Sequence, residues 1–317
     1  MKILLTGGAG FIGSHLARSL LDRDCRVVIL DDFNDYYSPR IKEKNLAGIA
    51  SRPCLEIARG SIGDKELLRK LFASEGFDLV VHLAARAGVR PSFADPLLYQ
   101  DVNVGGTLAL LEASRSFNTK RVIFASSSSV YGDNPARPWR ENLANLFPLS
   151  PYGVTKLMGE HLCRIYHRVF GLKVTALRFF TAYGPRQRPD MAIHKFARLI
   201  QEGKEVPVFG DGTSQRDYTY IGDIIEGILK AIEGDLEWEV INLGSGRCVV
   251  LEEVVDLIGR FLKKPVRKRF LPEQPGDAPA TWADLARARH LLGYEPKTEI
   301  ARGIEEFIDW FKRESER

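Results

Sequence analysis

Lys2-Ile3-Leu4-Leu5-Thr6-Gly7-Gly8-Ala9-Gly10-Phe11-Ile12-Gly13 decides the fold. A short apolar run reads as a strand, and Ile12, Leu16 and Leu20 then repeat at helical spacing. In the form G-x-x-G-x-x-G between a strand and a helix, one glycine permits a tight turn and another lets backbone N–H groups approach a pyrophosphate. The third, Gly13, allows close helix-to-strand packing. Alone, the motif is equally an ordinary glycine-rich turn. Asp31, however, closes the next strand at close to the separation of about 20 residues expected for a ribose-binding acid. A carboxylate there accepts hydrogen bonds from both ribose hydroxyls. With Asp32 beside it and no Arg or Lys adjacent in the chain, a 2′-phosphate is repelled, so NAD is favoured over NADP.

Short β-branched runs alternate with longer helical patterns over the first 180 or so residues, the mark of βαβ units. The expected strands are Lys2 to Thr6, Arg26 to Leu30, Leu55 to Ala58, Leu79 to Leu83, Val122 to Ser126 and Val174 to Arg178. Several are apolar throughout, as when helices cover both faces of a sheet. The expected fold class is therefore α/β, a Rossmann-type doubly wound parallel sheet over residues 1–178 followed by a smaller C-terminal substrate domain over 179–317. Val240 to Leu243 reads as a further strand, so a segment near 219–245 is expected to return to the main sheet.

The chain has 317 residues, 44% hydrophobic and 27% charged, with a formal charge of +4. That composition excludes collagen-like, disordered and disulfide-scaffold classes, and the charge is too small to imply a nucleic-acid or membrane partner. No apolar run approaches the ~20 residues of a membrane span, and the start does not read as a signal peptide. The expected location is cytoplasmic. Cys25, Cys54, Cys163 and Cys248 show neither zinc nor redox spacing, and the six histidines form no metal pattern, so no metal is expected.

A second motif, Tyr152-Gly153-Val154-Thr155-Lys156, lies in a helical segment running to about Val169. The i,i+4 spacing puts phenol and ammonium on one face. A free tyrosine has a pKa of about 10, but a neighbouring Lys charge and a nicotinamide cation both favour its phenolate, which makes Tyr152 a candidate general base. Such pairs are common on helix surfaces. What gives this one weight is its place after Ser126-Ser127-Ser128-Ser129, which ends an apolar strand at the sheet edge where ligands bind. Those serines read equally as a polar or helix-capping loop.

From Lys2 to about Trp310 the chain resembles the extended short-chain dehydrogenase/reductase superfamily, specifically its nucleotide-sugar 4-epimerases. Asn34-Asp35-Tyr36-Tyr37, Ala87-Gly88-Val89-Arg90, Arg178-Phe179-Phe180-Thr181 and Arg188-Pro189-Asp190-Met191-Ala192 are most similar to the UDP-glucuronate 4-epimerases. Arg216-Asp217-Tyr218 and Gln274-Pro275-Gly276-Asp277 are similar to that group too. The resemblance implies a catalytic triad of Ser127, Tyr152 and Lys156. It implies NAD contacts from Gly7, Gly10, Phe11, Ile12, Gly13, Asp31, Asp32, Asn34, Ile62, Leu83, Ala84, Ala85, Asn103, Tyr152 and Lys156. Arg216 and Asp277 would hold the nucleotide diphosphate and ribose, and Ser128, Ser129, Thr181 and Arg188 the sugar. Ser61 stands where these enzymes usually carry an Asp, and Gly222 where they carry an acid. A homodimer is implied, packed through Leu98 to Ser116 and Tyr152 to Val169.

The activity so implied is oxidation of a UDP-sugar at C4, rotation of the 4-keto sugar and reduction on the opposite face, with NAD regenerated. UDP-glucuronate and UDP-galacturonate are the expected pair, with UDP-glucose and UDP-galactose as the alternative. Thr181 replaces an Asn of many UDP-galactose epimerases, and an Arg such as Arg188 can grip a carboxylate through two parallel hydrogen bonds. A 4,6-dehydratase would need an Asp-Glu pair where Ser128 and Ser129 stand, and a UDP-glucuronate decarboxylase a Glu in place of Ser129. A nucleotide-binding module without turnover is the remaining alternative, against which the intact triad argues.

Overall fold

The computed structural model describes residues 1–273, 276 and 278–315. Seven parallel strands form one sheet: β1 (Lys2–Thr6), β2 (Arg26–Asp31), β3 (Leu55–Arg59), β4 (Leu79–His82), β5 (Arg121–Ser127), β6 (Lys173–Phe179) and the strand Trp238–Leu243. Across the sheet the order is Trp238–Leu243, β6, β5, β4, β1, β2, β3. The chain steps from β1 outward to β3 and then crosses to the other side of β1 for β4. That reversal opens a crevice at the C-terminal ends of β1 and β4, the usual ligand position in open α/β sheets.

Alternation along the strands explains why both faces are covered. Ile3, Leu5, Val27 and Ile29 enter one core with Leu16, Ala17 and Leu20 of α1 (Phe11–Leu21). Leu4, Val28, Leu30 and Val80 enter the other, against Leu68 and Phe72 of helix Lys65–Glu75 and Leu110 and Leu111 of helix Gly106–Ser116. Each strand therefore feeds two helix layers, which is why these runs are apolar without interruption. The strand Trp238–Leu243 pairs in parallel with β6, and helix Ile221–Glu233 packs its isoleucines on α1.

A third core belongs to the C-terminal part. Helices Ala192–Gln201, Leu251–Leu262 and Ile300–Ser315 bury Ile193, Phe196, Val254, Ile258, Ile304 and Phe307 around the parallel pair Val206–Phe209 and Lys268–Leu271. The helix expected over Leu98 to Ser116 begins earlier, at Pro96, where the Asp95 side chain accepts from the Leu98 N–H at 3.1 Å. It also contains a π-helical turn, Gln100–Gly105, a feature that recurs at functional sites. Among the described residues no helix is long and apolar enough to cross a membrane, and no His, Cys, Asp and Glu side chains gather as a metal site.

Candidate active site

A cleft of about 1200 Å³ runs along the C-terminal sheet edge and continues between the sheet body and the C-terminal part. At its floor the Gly7 backbone has φ +71°, and a Cβ there would stand 2.8 Å from the Ala84 nitrogen, so only glycine fits between β1 and the loop after β4. A Cβ on Gly13 would lie 2.2 Å from the Gly7 carbonyl oxygen, which is how α1 comes so close to the turn. Gly10 caps α1 without a side chain, leaving the first-turn N–H groups open to the cleft. A pyrophosphate fits that helix N-terminus without further donors.

Asp31 sits at the end of β2, buried, its two oxygens accepting from the Ala9 and Phe33 N–H groups at 3.0 and 2.9 Å. Burial raises its pKa, and the Lys42 charge pulls it back. Asp32 is exposed, and both Asn34 donors go to its Oδ1, at 3.0 Å from the backbone and 2.6 Å from the side chain. The expectation that no cation stands near the pair holds along the chain but not in space, because Lys42 places its Nζ 3.6 Å from Asp31 and 3.7 Å from Asp32. Gly60, Ser61, Ile62, Leu83, Ala84 and Ala85 line the same end of the cleft. Asn103 does not line it. Its amide lies behind the wall, accepting from the Arg86 N–H at 2.7 Å and donating to the Arg86 carbonyl and Thr155 hydroxyl, each at 3.0 Å. It pins the loop after β4 to the helix that carries Tyr152.

That helix, Pro151–Phe170, starts with Pro151 at its first position and Ser150 accepting from the Gly153 N–H at 3.1 Å. Lys156 is buried and donates to the Ala125 carbonyl at 2.7 Å, with its ammonium 6.0 Å from the Tyr152 ring centre. Burial lowers its pKa to about 8. Burial raises that of Tyr152, against which the hydrogen bond with Ser127 and then the charge of Arg188 act. Ser127 Oγ also accepts the Ser129 N–H at 3.1 Å, so the serine loop is folded around it. The three groups named from the sequence thus meet at one wall, with Ser128 and Ser129 beside them.

One more turn along the helix, Glu160 is a partner that the motif did not announce. Its carboxylate accepts from Arg178 Nε and Nη2 at 2.9 and 2.8 Å and from Ser126 Oγ at 2.5 Å, all buried. The Y-x-x-x-K-x-x-x-E spacing was the available signal. Asp217 is a second such hub, accepting from Thr219, Ser245, Gly246 and Ala283 and so tying those three segments together.

Thr181 and Arg188 both line the cleft. The loop carrying Arg188 is held to α1 by His15, whose Nε2 donates to the Pro185 carbonyl at 2.9 Å. Arg188 is forked onto Asp190, at 3.0 and 2.9 Å, and lies 5.3 Å over the Tyr36 ring. Its two-point grip is thus already given to this chain's own carboxylate, leaving three N–H donors for a ligand. Arg216 lines the far end and donates to the Gln215 carbonyl at 2.8 Å. Asp277 lies outside the described residues.

The family model "NAD dependent epimerase/dehydratase family" matches residues 3–244. An uncharacterized protein of Methanocaldococcus jannaschii is 42% identical over 312 residues, covering 98% of this chain and 96% of that one. The crystal structure of a UDP-glucuronic acid 4-epimerase from Bacillus cereus, in complex with UDP-glucuronic acid and NAD, is 40% identical, covers 99% of both chains and superposes with a TM-score of 0.94. A Thermus thermophilus UDP-glucose 4-epimerase in complex with NAD is 32% identical, covers 98% of this chain and 99% of that one, and superposes with a TM-score of 0.90. With the glycine turn, the Asp31 carboxylate and the Ser127, Tyr152 and Lys156 wall in one cleft, these matches identify the chain as an NAD-using enzyme that belongs to the NAD-dependent epimerase/dehydratase family.

Proposed function

We propose that the protein is a UDP-sugar 4-epimerase interconverting UDP-glucuronate and UDP-galacturonate. The observation that carries the epimerase reading is the wall formed by Ser127, Tyr152 and Lys156, facing a cleft whose volume takes both a dinucleotide and a nucleotide sugar. NAD bound along the glycine turn supplies a hydride acceptor and donor for C4 of the sugar. Tyr152 takes the C4 hydroxyl proton as C4 is oxidised and, after the 4-keto sugar has turned its other face to the cofactor, returns that proton to the same oxygen as C4 is reduced, and Ser127 hydrogen-bonds this oxygen throughout. Lys156, held by Ala125, keeps a positive charge under the phenol. Arg216 and Asp277 grip the UDP end, so only the hexose turns between the two half-reactions.

For the uronate, support comes from Ser128, Ser129, Thr181 and Arg188 in the same cleft. Oxidation at C4 makes the uronate a β-keto acid, and hydroxyls holding the carboxylate in a fixed orientation disfavour loss of carbon dioxide. The relative solved with UDP-glucuronic acid is also the more identical of the two epimerases compared. One observation favours the neutral pair, UDP-glucose and UDP-galactose: Asp190 already balances the Arg188 charge. Comparing kcat/KM for the acid and neutral sugars tests the choice, and a preference for a neutral sugar overturns the uronate assignment while leaving the 4-epimerase reading intact.

A second copy of the chain is the partner this reading takes. Val154, Met158, Ile165 and Val169 form an exposed apolar stripe on the Tyr152 helix, with Phe170 and Leu108 beside it. Packing of two such stripes buries them, and light scattering at the monomer mass would refute it.

A further inference from the structure

Helix Pro39–Ala47 is polar along most of its length, PRIKEKNLA, yet it turns Lys42 and Asn45 inward. Asn45 donates to the Ala9 carbonyl at 3.1 Å, which docks this helix on the glycine turn. The Lys42 side chain is 6% exposed, and the little surface it keeps faces the cleft. Its ammonium stands 3.6 and 3.7 Å from the Asp31 and Asp32 carboxylates and 5.4 Å from the Tyr37 ring centre. These are ion-pair distances, longer than hydrogen bonds, and among the described residues Lys42 donates no hydrogen bond. A buried ammonium with three unused donors at the lip of a cavity is costly unless a ligand takes them.

The place of those donors is defined by Asp31, the acid at the end of β2 that faces the adenosine ribose. We infer that Lys42 is a cofactor-specificity residue: its ammonium, shared between the two carboxylates at 3.6 and 3.7 Å, donates to the ribose oxygens and offsets one of the two negative charges, so a 2′-phosphate is rejected by the single charge that remains. Without Asp32, the same ammonium stands beside one compensated acid and becomes a point charge for phosphate, a role lysine fills elsewhere. Asp32 is suited to such a switch. It is exposed at the rim and, among the described residues, hydrogen-bonded to its neighbour Asn34 and ion-paired with the lysine, whereas Asp31 is built into the backbone of the turn.

The test reads bound nucleotide, not turnover. Purified wild-type protein, Asp32→Asn, Asp32→Asn/Lys42→Met and Asp32→Asn/Lys42→Arg are each incubated with an equimolar excess of NAD and NADP, washed and denatured, and the released nucleotides are separated and counted. Asp32→Asn should shift the bound NADP-to-NAD ratio toward NADP by at least about tenfold, as the change of one unit charge at contact distance supports. Adding Lys42→Met should cancel that gain, and Lys42→Arg, which keeps the charge, should preserve it. A gain that survives Lys42→Met removes the lysine from cofactor selection. Absence of any gain in Asp32→Asn overturns the inference even where the methionine variant does not fold.

Discussion

Glu160→Gln tests whether the catalytic helix is held to the sheet by charge. The carboxylate is buried with Arg178, which lies on β6 opposite Ser126 of β5 in the sheet register, so one side chain secures the helix to two strands. An amide of the same shape keeps one acceptor but turns an NH2 group toward the guanidinium and leaves Arg178 as an uncompensated buried cation. Breaking a buried pair on one side costs about 3–5 kcal/mol. At a few degrees per kcal/mol for a chain of this size, the midpoint of thermal unfolding should fall by on the order of 10 °C. The measurement is a thermal melt of both proteins in the same saturating NAD, so that cofactor linkage is held constant. The companion Glu160→Leu/Arg178→Met, which removes both charges, should be less destabilised than Glu160→Gln. A fall of less than about 2 °C in the single variant, or a double variant worse than the single, would refute the argument from an orphaned charge.

Tyr152→Phe removes the proton acceptor and almost no contact area, so kcat should fall at least about 100-fold while UDP-sugar affinity, measured by calorimetry, stays within a few fold; turnover like that of the wild type removes Tyr152 from the chemistry. Gly13→Ala puts a methyl group 2.2 Å from the Gly7 carbonyl oxygen and 2.7 Å from the Gly8 Cα, backbone atoms that cannot step aside, so the purified variant should carry far less nucleotide than the wild type. Full nucleotide content in that variant would show that α1 can move away from the turn. The product formed from UDP-glucuronate should have the mass of the substrate, and mass spectrometry showing loss of carbon dioxide or water as the main course would exclude epimerisation.

What the sequence shows of this fold follows from pattern. A strand covered on two faces reads as an unbroken apolar run, and β1, β2, β4 and β5 are such runs; the expected strands match the observed ones to within a residue or so at each end. The glycine turn is legible because its geometry excludes a side chain at Gly7 and Gly13, and Tyr152 and Lys156 because one helical turn separates them. Asn103 shows the limit. Its expected place is at the cofactor, but the π-helical turn, which has no signature in residue type, sets it behind the wall as a pin between Arg86 and Thr155.

The charges diverge from expectation in a consistent direction. At the cofactor end, Asp31 and Asp32 read as two negative charges, and folding brings in Lys42 from a helix with no apolar pattern to mark it. At the sugar end, Arg188 reads as a free cation, and Asp190 takes its fork. Within the catalytic helix, Glu160 meets Arg178 across 18 residues of sequence because β5 and β6 are neighbours. Asp31, Glu160 and Arg178 are buried and Arg188 is largely covered, and a buried charge without a partner costs several kcal/mol. The partner is therefore a physical requirement of the first residue, while its position depends on sheet order and loop path, which local patterns do not encode. A charge that sequence assigns to the wall of a deep cleft thus overstates the free charge available to a ligand there. Counted this way, the ion pairs leave about one negative charge around Asp31, Asp32 and Lys42 and none around Arg188 and Asp190.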